Sequence, residues 1–370
     1  MRARAMTPRS TLTATCLALF FLTGCSEDPG SQPDAAGTGR DAGKLYGTVI
    51  HMADGQTVQG ELLHVYDMRR SVIPCDAACP HLVYALFDSS RYSENRDLDQ
   101  SIQFACVDPN DSSISIDTYP PEPGTLTFAE FRRQHGLSFT RLPLDGVWFV
   151  HEGNSGYHLD EGGAGDFAWD FVMLRNGTNG ADPANDIHCV GAPGACNEIA
   201  AECTGGSSNH DYYAWQRCVR VPSPGTVSVV SGTHGDHCPH GEANFPNYVF
   251  IDLSGGYRLL LTHLAQNSVQ VGRSESVDAG ALLGRIGNSG LSFAPHLHAS
   301  LFWHGKDTPE NCQGGWSVPS DFQELYAKAA SSAREQTAAR QVDYVPARGE
   351  FVSTVPFTIN ENAPLGECEP

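Results

Sequence analysis

Basic charge is what this 370-residue chain has least of: 23 Lys and Arg stand against 43 Asp and Glu, a formal net charge of −20. No basic patch is evident along the sequence, which sets nucleic acid aside as a partner and argues against tight electrostatic attachment to anionic polymers or lipid head groups. An apolar run long enough to span a bilayer is missing at the N-terminus, where the uncharged stretch from Ser10 to Gly24 is too short for a membrane helix. The chain holds twelve cysteines, yet the paired CxxC units of a structural zinc site are absent.

What stands at the N-terminus is an address. Arg2, Arg4 and Arg9 precede the short apolar run, the pattern of an export signal over residues 1–24. Its end, Leu22-Thr23-Gly24-Cys25, resembles the bacterial lipoprotein processing site. That resemblance implies Cys25 as the lipidated first residue of an exported protein anchored to a membrane, the outer one if the cell has two, facing periplasm or cell surface. Plain secretion is the alternative. Removing the three leader arginines takes the formal charge from −20 to −23. From Cys25 to Gly43, Ser, Gly, Pro, Asp and Ala dominate, too poor in apolar residues to fold, so 25–43 is a flexible tether spanning roughly 23 Å on average.

Cys16 falls in the leader, and with Cys25 set aside ten cysteines remain: Cys75, Cys79, Cys106, Cys189, Cys196, Cys203, Cys218, Cys238, Cys312 and Cys368. An even, scattered set in an exported chain points to disulfides. Three of the ten precede the region from Leu142 onward and seven lie within or after it, so complete pairing requires at least one bridge between the two.

Residues 44–136 alternate in runs such as LYGTVIHM, LVYALFDS and SIQFACVD, broken by Gly, Asp, Asn and Pro, which predicts a small β-rich, sandwich-like domain. No recognisable chemistry resides there, and His51, His64 and His81 read as ordinary surface or core residues. Near the other end, Ser320 to Ala339 is rich in Ala, Glu, Gln and Arg and predicts one surface helix. It lies within 311–370, expected to be an extension packing on the central domain.

The central stretch is Gly280 to Trp303, GALLGRIGNSGLSFAPHLHASLFW. On a strand His296 and His298 project from one face and Leu297 from the other, so two imidazoles share a cleft. Upstream, PNYVFIDLSGGYRLLLTHL reads as a hairpin turning at Ser254-Gly255-Gly256 and ending on His263. Further back, LDGVWFVHEGNSGYHLDEGGAGDFAWDFVM holds a glycine-rich loop with His158 and a strand, FAWDF, with Asp170.

Together LLLTHL, SVDAGALLGRIGNSG, PHLHASLF, the AWDF strand and the hairpin RCVRVPSPGTVSVVSG resemble, in order, the lysostaphin-type zinc endopeptidases over roughly Leu142 to Trp303. The resemblance implies a mainly β fold: an antiparallel β-sheet peptidase domain over 137–310, preceded by the β-rich domain and carrying an insertion at 174–216. It implies Zn2+ held by His158, Asp170 and His298, with His263 and His296 beside the metal as catalytic groups. The implied activity is hydrolysis of peptide bonds, with peptidoglycan peptides as substrate; the alternatives are a degenerate scaffold that binds cell wall or regulates other wall enzymes, and a peptidase of secreted proteins.

The chemistry stands on its own terms as well. A catalytic zinc commonly takes three protein ligands and leaves one position for water, and two imidazoles with one carboxylate meet that need. No HExxH occurs, so the glutamate base of that motif is missing, and His263 and His296 are the residues available for its duties. His151 competes with His158, and Asp160 and Asp166 with Asp170. The spacing from His158 to Asp170 exceeds the family's shortest form, with EGGAG taking up the difference. The insertion, with Cys189, Cys196 and Cys203, reads as a disulfide-pinned surface loop. His234, His237 and His240 suggest a second metal less well than they suggest a polar hairpin tip.

Overall fold

Short alternating apolar runs separated by turn residues dictate extended chain, and the computed structural model is built of it. The structure describes residues 45–67, 82–91, 101–134, 138–153, 167–174, 187, 206–239, 245–303, 316–332 and 335–359. The leader, the tether, Cys25, His158, His240, most of the insertion and seven of the ten remaining cysteines lie outside them. Cys106, Cys218 and Cys238 are disulfide-bonded. Among the described residues no helix is long and apolar enough to cross a membrane.

Five strands come first: β1 (Gly47–His51), β2 (Thr57–Asp67), β3 (Leu82–Phe87), β4 (Ile102–Val107) and β5 (Ser115–Tyr119), ordered β4-β3-β2-β1-β5 in one antiparallel sheet. At the β1–β2 bulge the chains approach so closely that a Cβ on Gly47, whose φ is 65°, would run into the Gly60 carbonyl. A helix, α1 (Phe128–Gln134), follows. Thr127 and Glu130 cap it reciprocally, the Glu130 carboxylate accepting from Thr127 N at 2.9 Å and the Thr127 hydroxyl from Glu130 N at 3.2 Å. Phe128 and Phe131 pack on Phe87 with centroids 5.1 and 5.0 Å away. Arg132, on the same helix, is buried in an ion pair with Asp321 at 2.7 Å.

The larger sheet follows: β6 (Val147–Glu152), β7 (Trp169–Val172), β9 (Gly225–Ser231), β10 (Tyr248–Asp252), β11 (Tyr257–Thr262), β12 (Ser276–Val277), β14 (Leu297–Trp303), β15 (Trp316–Ser317), β16 (Phe322–Ala329), β17 (Ala339–Tyr344) and β18 (Glu350–Ser353). Its order is β12-β9-β10-β11-β14-β7-β6-β18-β16-β17, with β15 on β14, while β8 (Cys218–Arg220) and β13 (Leu282–Arg285) form a separate pair. Trp169 and Phe171 on β7, with Trp148, Phe139 and Phe322, are fully or almost fully buried at the centre of the apolar core.

The C-terminal part corrects one expectation. Instead of one helix over Ser320–Ala339, β16 and the start of β17 occupy the segment, and β18 enters the sheet between β16 and β6. Helix propensity is a weak prior, and here it loses to pairing: Phe322, Leu325 and Ala327 are buried while backbone groups on both sides of β16 find partner strands. Segment 311–370 thus contributes strands to the same sheet that carries the site.

Candidate functional site

Register brings the site together. Thr262 on β11 lies opposite His298, His298 opposite Asp170, and Asp170 opposite Glu152. Residues directly opposite in antiparallel strands project from one face, so these four make a polar row across the sheet. The intervening residues Leu297, Ala299, Trp169 and Phe171 fill the core on the other face. His298 Nδ1 lies 3.0 Å and His296 Nε2 3.6 Å from Asp170 Oδ1.

His263 reaches the same place by breaking the strand rule. Following Thr262, it adopts φ 62°, a left-handed conformation costing a histidine roughly 1–3 kcal/mol. Its ring lies 4.6 Å from that of His296 and 5.9 Å from that of His298. The Ser289 carbonyl, an acceptor only, stands 2.8 Å from His263 Nδ1, so Nδ1 carries the proton and Nε2 the lone pair. The Ala294 carbonyl, 2.8 Å from His296 Nδ1, gives that ring the same tautomer.

Burial, the largest cause, lowers His263 well below the ordinary 6.5, helped by the neighbouring His296 and His298; the Ser289 contact and Asp170 pull the other way. The unfolded chain therefore takes up a proton below pH 6.5 that the folded chain refuses. Stability from this group is complete above that pH and drains away below it, by at most about 1.4 kcal/mol per pH unit. In metal-free protein the denaturant midpoint should fall from pH 7 to pH 5, and less steeply in His263→Asn, which tolerates the left-handed backbone. Equal slopes in the two proteins would refute this.

The loop before β14 is clamped. Asp236 accepts from Asn288 N at 2.6 Å and Gln266 N at 2.8 Å, and Gly287 N donates to the His263 carbonyl at 2.8 Å. A Cβ on Gly287 would collide with Asp236 Oδ1 and the Ala265 backbone. Gly287→Ala should lower the unfolding free energy by about 1–3 kcal/mol, the usual cost of overpacking, as read from denaturant titration.

Of the expected site residues, Asp170, His263, His296 and His298 converge, and His158 lies outside the described residues. His151 is the extra residue of the β6 bulge and has a side chain 42% exposed. Among the described residues no group of three or more His, Cys, Asp or Glu is arranged to hold a metal. Asp170 Oδ1 and His298 Nδ1, both on buried residues, nevertheless meet at 3.0 Å, and a carboxylate oxygen with an imidazole nitrogen is a donor pair of the kind zinc takes. Sequence reasoning missed Glu152, Asn209, Asp236, Asn288 and Ser292 around the site. It also left His237 in a loop tip, where the structure buries it with Nε2 2.6 Å from the Gly290 carbonyl and Nδ1 2.8 Å from the Cys238 carbonyl. His234 packs on Phe245 with ring centroids 5.4 Å apart.

Residues 214–309 match the family model described as peptidase family M23, a span that contains His263, His296 and His298 but not Asp170. No curated protein matches the chain. Similar solved structures include the catalytic domain of the M23 protein EnpA from Enterococcus faecalis, 15% identical over 49% of this chain and 94% of that one, with TM-score 0.27. Lysostaphin's catalytic domain from Staphylococcus simulans is 15% identical over 45% and 86%, with TM-score 0.24. A zinc-containing peptidase from Vibrio cholerae is 17% identical over 44% and 36%, with TM-score 0.25. Likenesses this slight carry no argument about chemistry.

Proposed function

We propose that this chain, whose residues 214–309 belong with peptidase family M23, is a zinc-dependent endopeptidase acting on peptide cross-links of peptidoglycan. The observation that carries the reading is the meeting of one carboxylate, Asp170, with three imidazoles on one face of the sheet.

Asp170 and His298, with His158, are the residues that would hold the ion. Bound there, zinc would polarise the scissile carbonyl and make water acidic enough to attack it at neutral pH. The remaining chemistry belongs to the two histidines outside that set. Each keeps its proton on Nδ1, anchored to a backbone carbonyl, and so offers Nε2 as a proton acceptor. Once protonated, the same nitrogen becomes a donor to the oxyanion or to the leaving amine. Burial keeps His263 neutral before the reaction begins. His263 and His296 divide these duties between them.

The test is incubation of metal-loaded protein with intact peptidoglycan and mass spectrometry of what is released. Peptides cut within the cross-links support the reading. Binding without any released peptide would leave a wall-binding scaffold as the function, and cleavage of added proteins but not of sacculi would leave a secreted-protein peptidase. The same proposal includes a lipid anchor at Cys25, so Cys25→Ser should move the protein from the membrane fraction to the soluble one.

A further inference from the structure

We propose that Asn209, in the insertion between β7 and β8, is a positioning residue for His296, acting through Asn288 and Ser292. The idea rests on the reading of His296 as a group that acts at the scissile bond, and gives the insertion a part in that site.

Asn209 opens a short 3-10 turn, Asn209–Asp211, fixed by its own cap. Ser208 accepts from His210 N at 3.3 Å, and Asp211 Oδ2 accepts from Gly206 N at 2.9 Å and Ser208 N at 3.2 Å. The Asn209 side chain is fully buried. Its Nδ2 donates to the His237 carbonyl at 2.8 Å, and its Oδ1 accepts from Asn288 Nδ2 at 3.0 Å. Asn288, also fully buried, accepts on Oδ1 from the Ser292 hydroxyl at 2.6 Å. Ser292 Oγ then stands 3.3 Å from His296 Nδ1 and 3.0 Å from the Ala294 carbonyl.

The direction of the two amide links is forced. The His237 carbonyl can only accept, so Asn209 turns Nδ2 toward it and Oδ1 toward Asn288. That sets Nδ2 of Asn288 against Asn209 and, at 3.2 Å, against the same His237 carbonyl, and turns its Oδ1 to Ser292. The single Ser292 proton goes to Asn288 or to the Ala294 carbonyl, and toward His296 the hydroxyl offers only a lone pair. Both groups facing His296 Nδ1 are thus acceptors, and Ser292 touches both. The Ala294 carbonyl takes the Nδ1 proton, and the relay, ending at Ser292 beside both that carbonyl and the ring, holds the pair in place with Nε2 toward Asp170. Such a chain of buried hydrogen bonds rigidifies what it ends on.

The experiment uses full-length, metal-loaded protein with 15N-labelled histidine, the His296 signals being identified by their loss in His296→Ala. Wild type should show one tautomer with Nδ1 protonated. Ser292→Ala and Asn209→Asp, the latter keeping volume but replacing the amide donor, should show exchange between tautomers. On peptidoglycan their kcat should fall by roughly 10- to 100-fold, the scale of a misaligned group, with little change in KM, and Ser292→Thr should restore both readouts. If Asn209→Asp does not fold, Asn209→Ser, shorter but still polar, takes its place. An unchanged His296 spectrum in the folded variants overturns the proposal whatever the activity. A spectrum that shifts as expected in a protein whose wild type cleaves no peptidoglycan supports the positioning and overturns the substrate instead.

Discussion

His298→Ala and Asp170→Ala should lose both zinc and turnover, whereas His296→Ala and His263→Ala should keep about one zinc per chain and lose activity by roughly 10²- to 10⁴-fold. Removing either of the first two takes away one of three protein ligands, and a shell so depleted holds the ion poorly. His298 Nδ1 and Asp170 Oδ1 lie 3.0 Å apart, so they address one point between two strands. The other two rings end on backbone carbonyls, Ser289 for His263 and Ala294 for His296, and their truncation leaves that point intact. His158→Ala belongs with the ligand group. Metal analysis of wild type and the five variants, with cleavage rates beside it, checks the division. Zinc lost from His296→Ala but kept in His298→Ala would reverse the assignment within the motif.

Asp321→Ala should destabilise the fold by about 3–5 kcal/mol, the scale of breaking a buried ion pair from one side. Asp321 pairs with Arg132 at 2.7 Å, and their side chains are 4% and 3% exposed. Arg132 also donates to the Pro319 carbonyl and lies over the Phe128 ring. Burial, the foremost influence on Arg132, lowers its pKa, and Asp321 is the main group opposing that. Truncating the carboxylate leaves a guanidinium in the core without its counter-charge. A net stability of 5–15 kcal/mol is typical of a domain, so such a loss is close to unfolding. The control is Arg132→Met with Asp321→Leu, in which no charge remains to be compensated and most of the stability should return. Denaturant titration reads both; a double variant no better than Asp321→Ala would show that packing, not uncompensated charge, sets the cost.

Much of the site was legible because its signals are local. His298 follows from alternation, since its neighbour Leu297 must face the core; the strand begins only at Leu297, and His296 stands just before it rather than on it. The hairpin ending at His263 follows from two apolar runs around Ser254-Gly255-Gly256, and it forms as β10 and β11. Asp170 stands in FAWDF, where aromatic neighbours on both sides leave the carboxylate only the opposite face.

The C-terminal strands were hidden for the opposite reason. Residues 320–339 have the composition of a helix, and their extended form depends on β18 and β17, partners supplied from beyond that segment. The polar surroundings of the site were hidden likewise. Asn209 meets Asn288 across 79 residues, and His237 meets Gly290 across 53. An Asn or a His in a glycine-rich loop carries no mark of such a contact.

By itself, then, the sequence determined the β character of the chain as far as β14, the hairpin that ends at His263, and the choice of Asp170, His263, His296 and His298 as candidates, which the fold brings together. These depend on periodicities of two to four residues and on turn chemistry that the backbone obeys wherever it lies. Tertiary structure decided the register that sets His298 beside Asp170 and the left-handed bend that swings His263 onto the same face. It also decided the burial that keeps His263 neutral and the amide relay behind His296. Each of these is a relation between segments far apart in the chain, and its energy exists only once the sheet has closed around it.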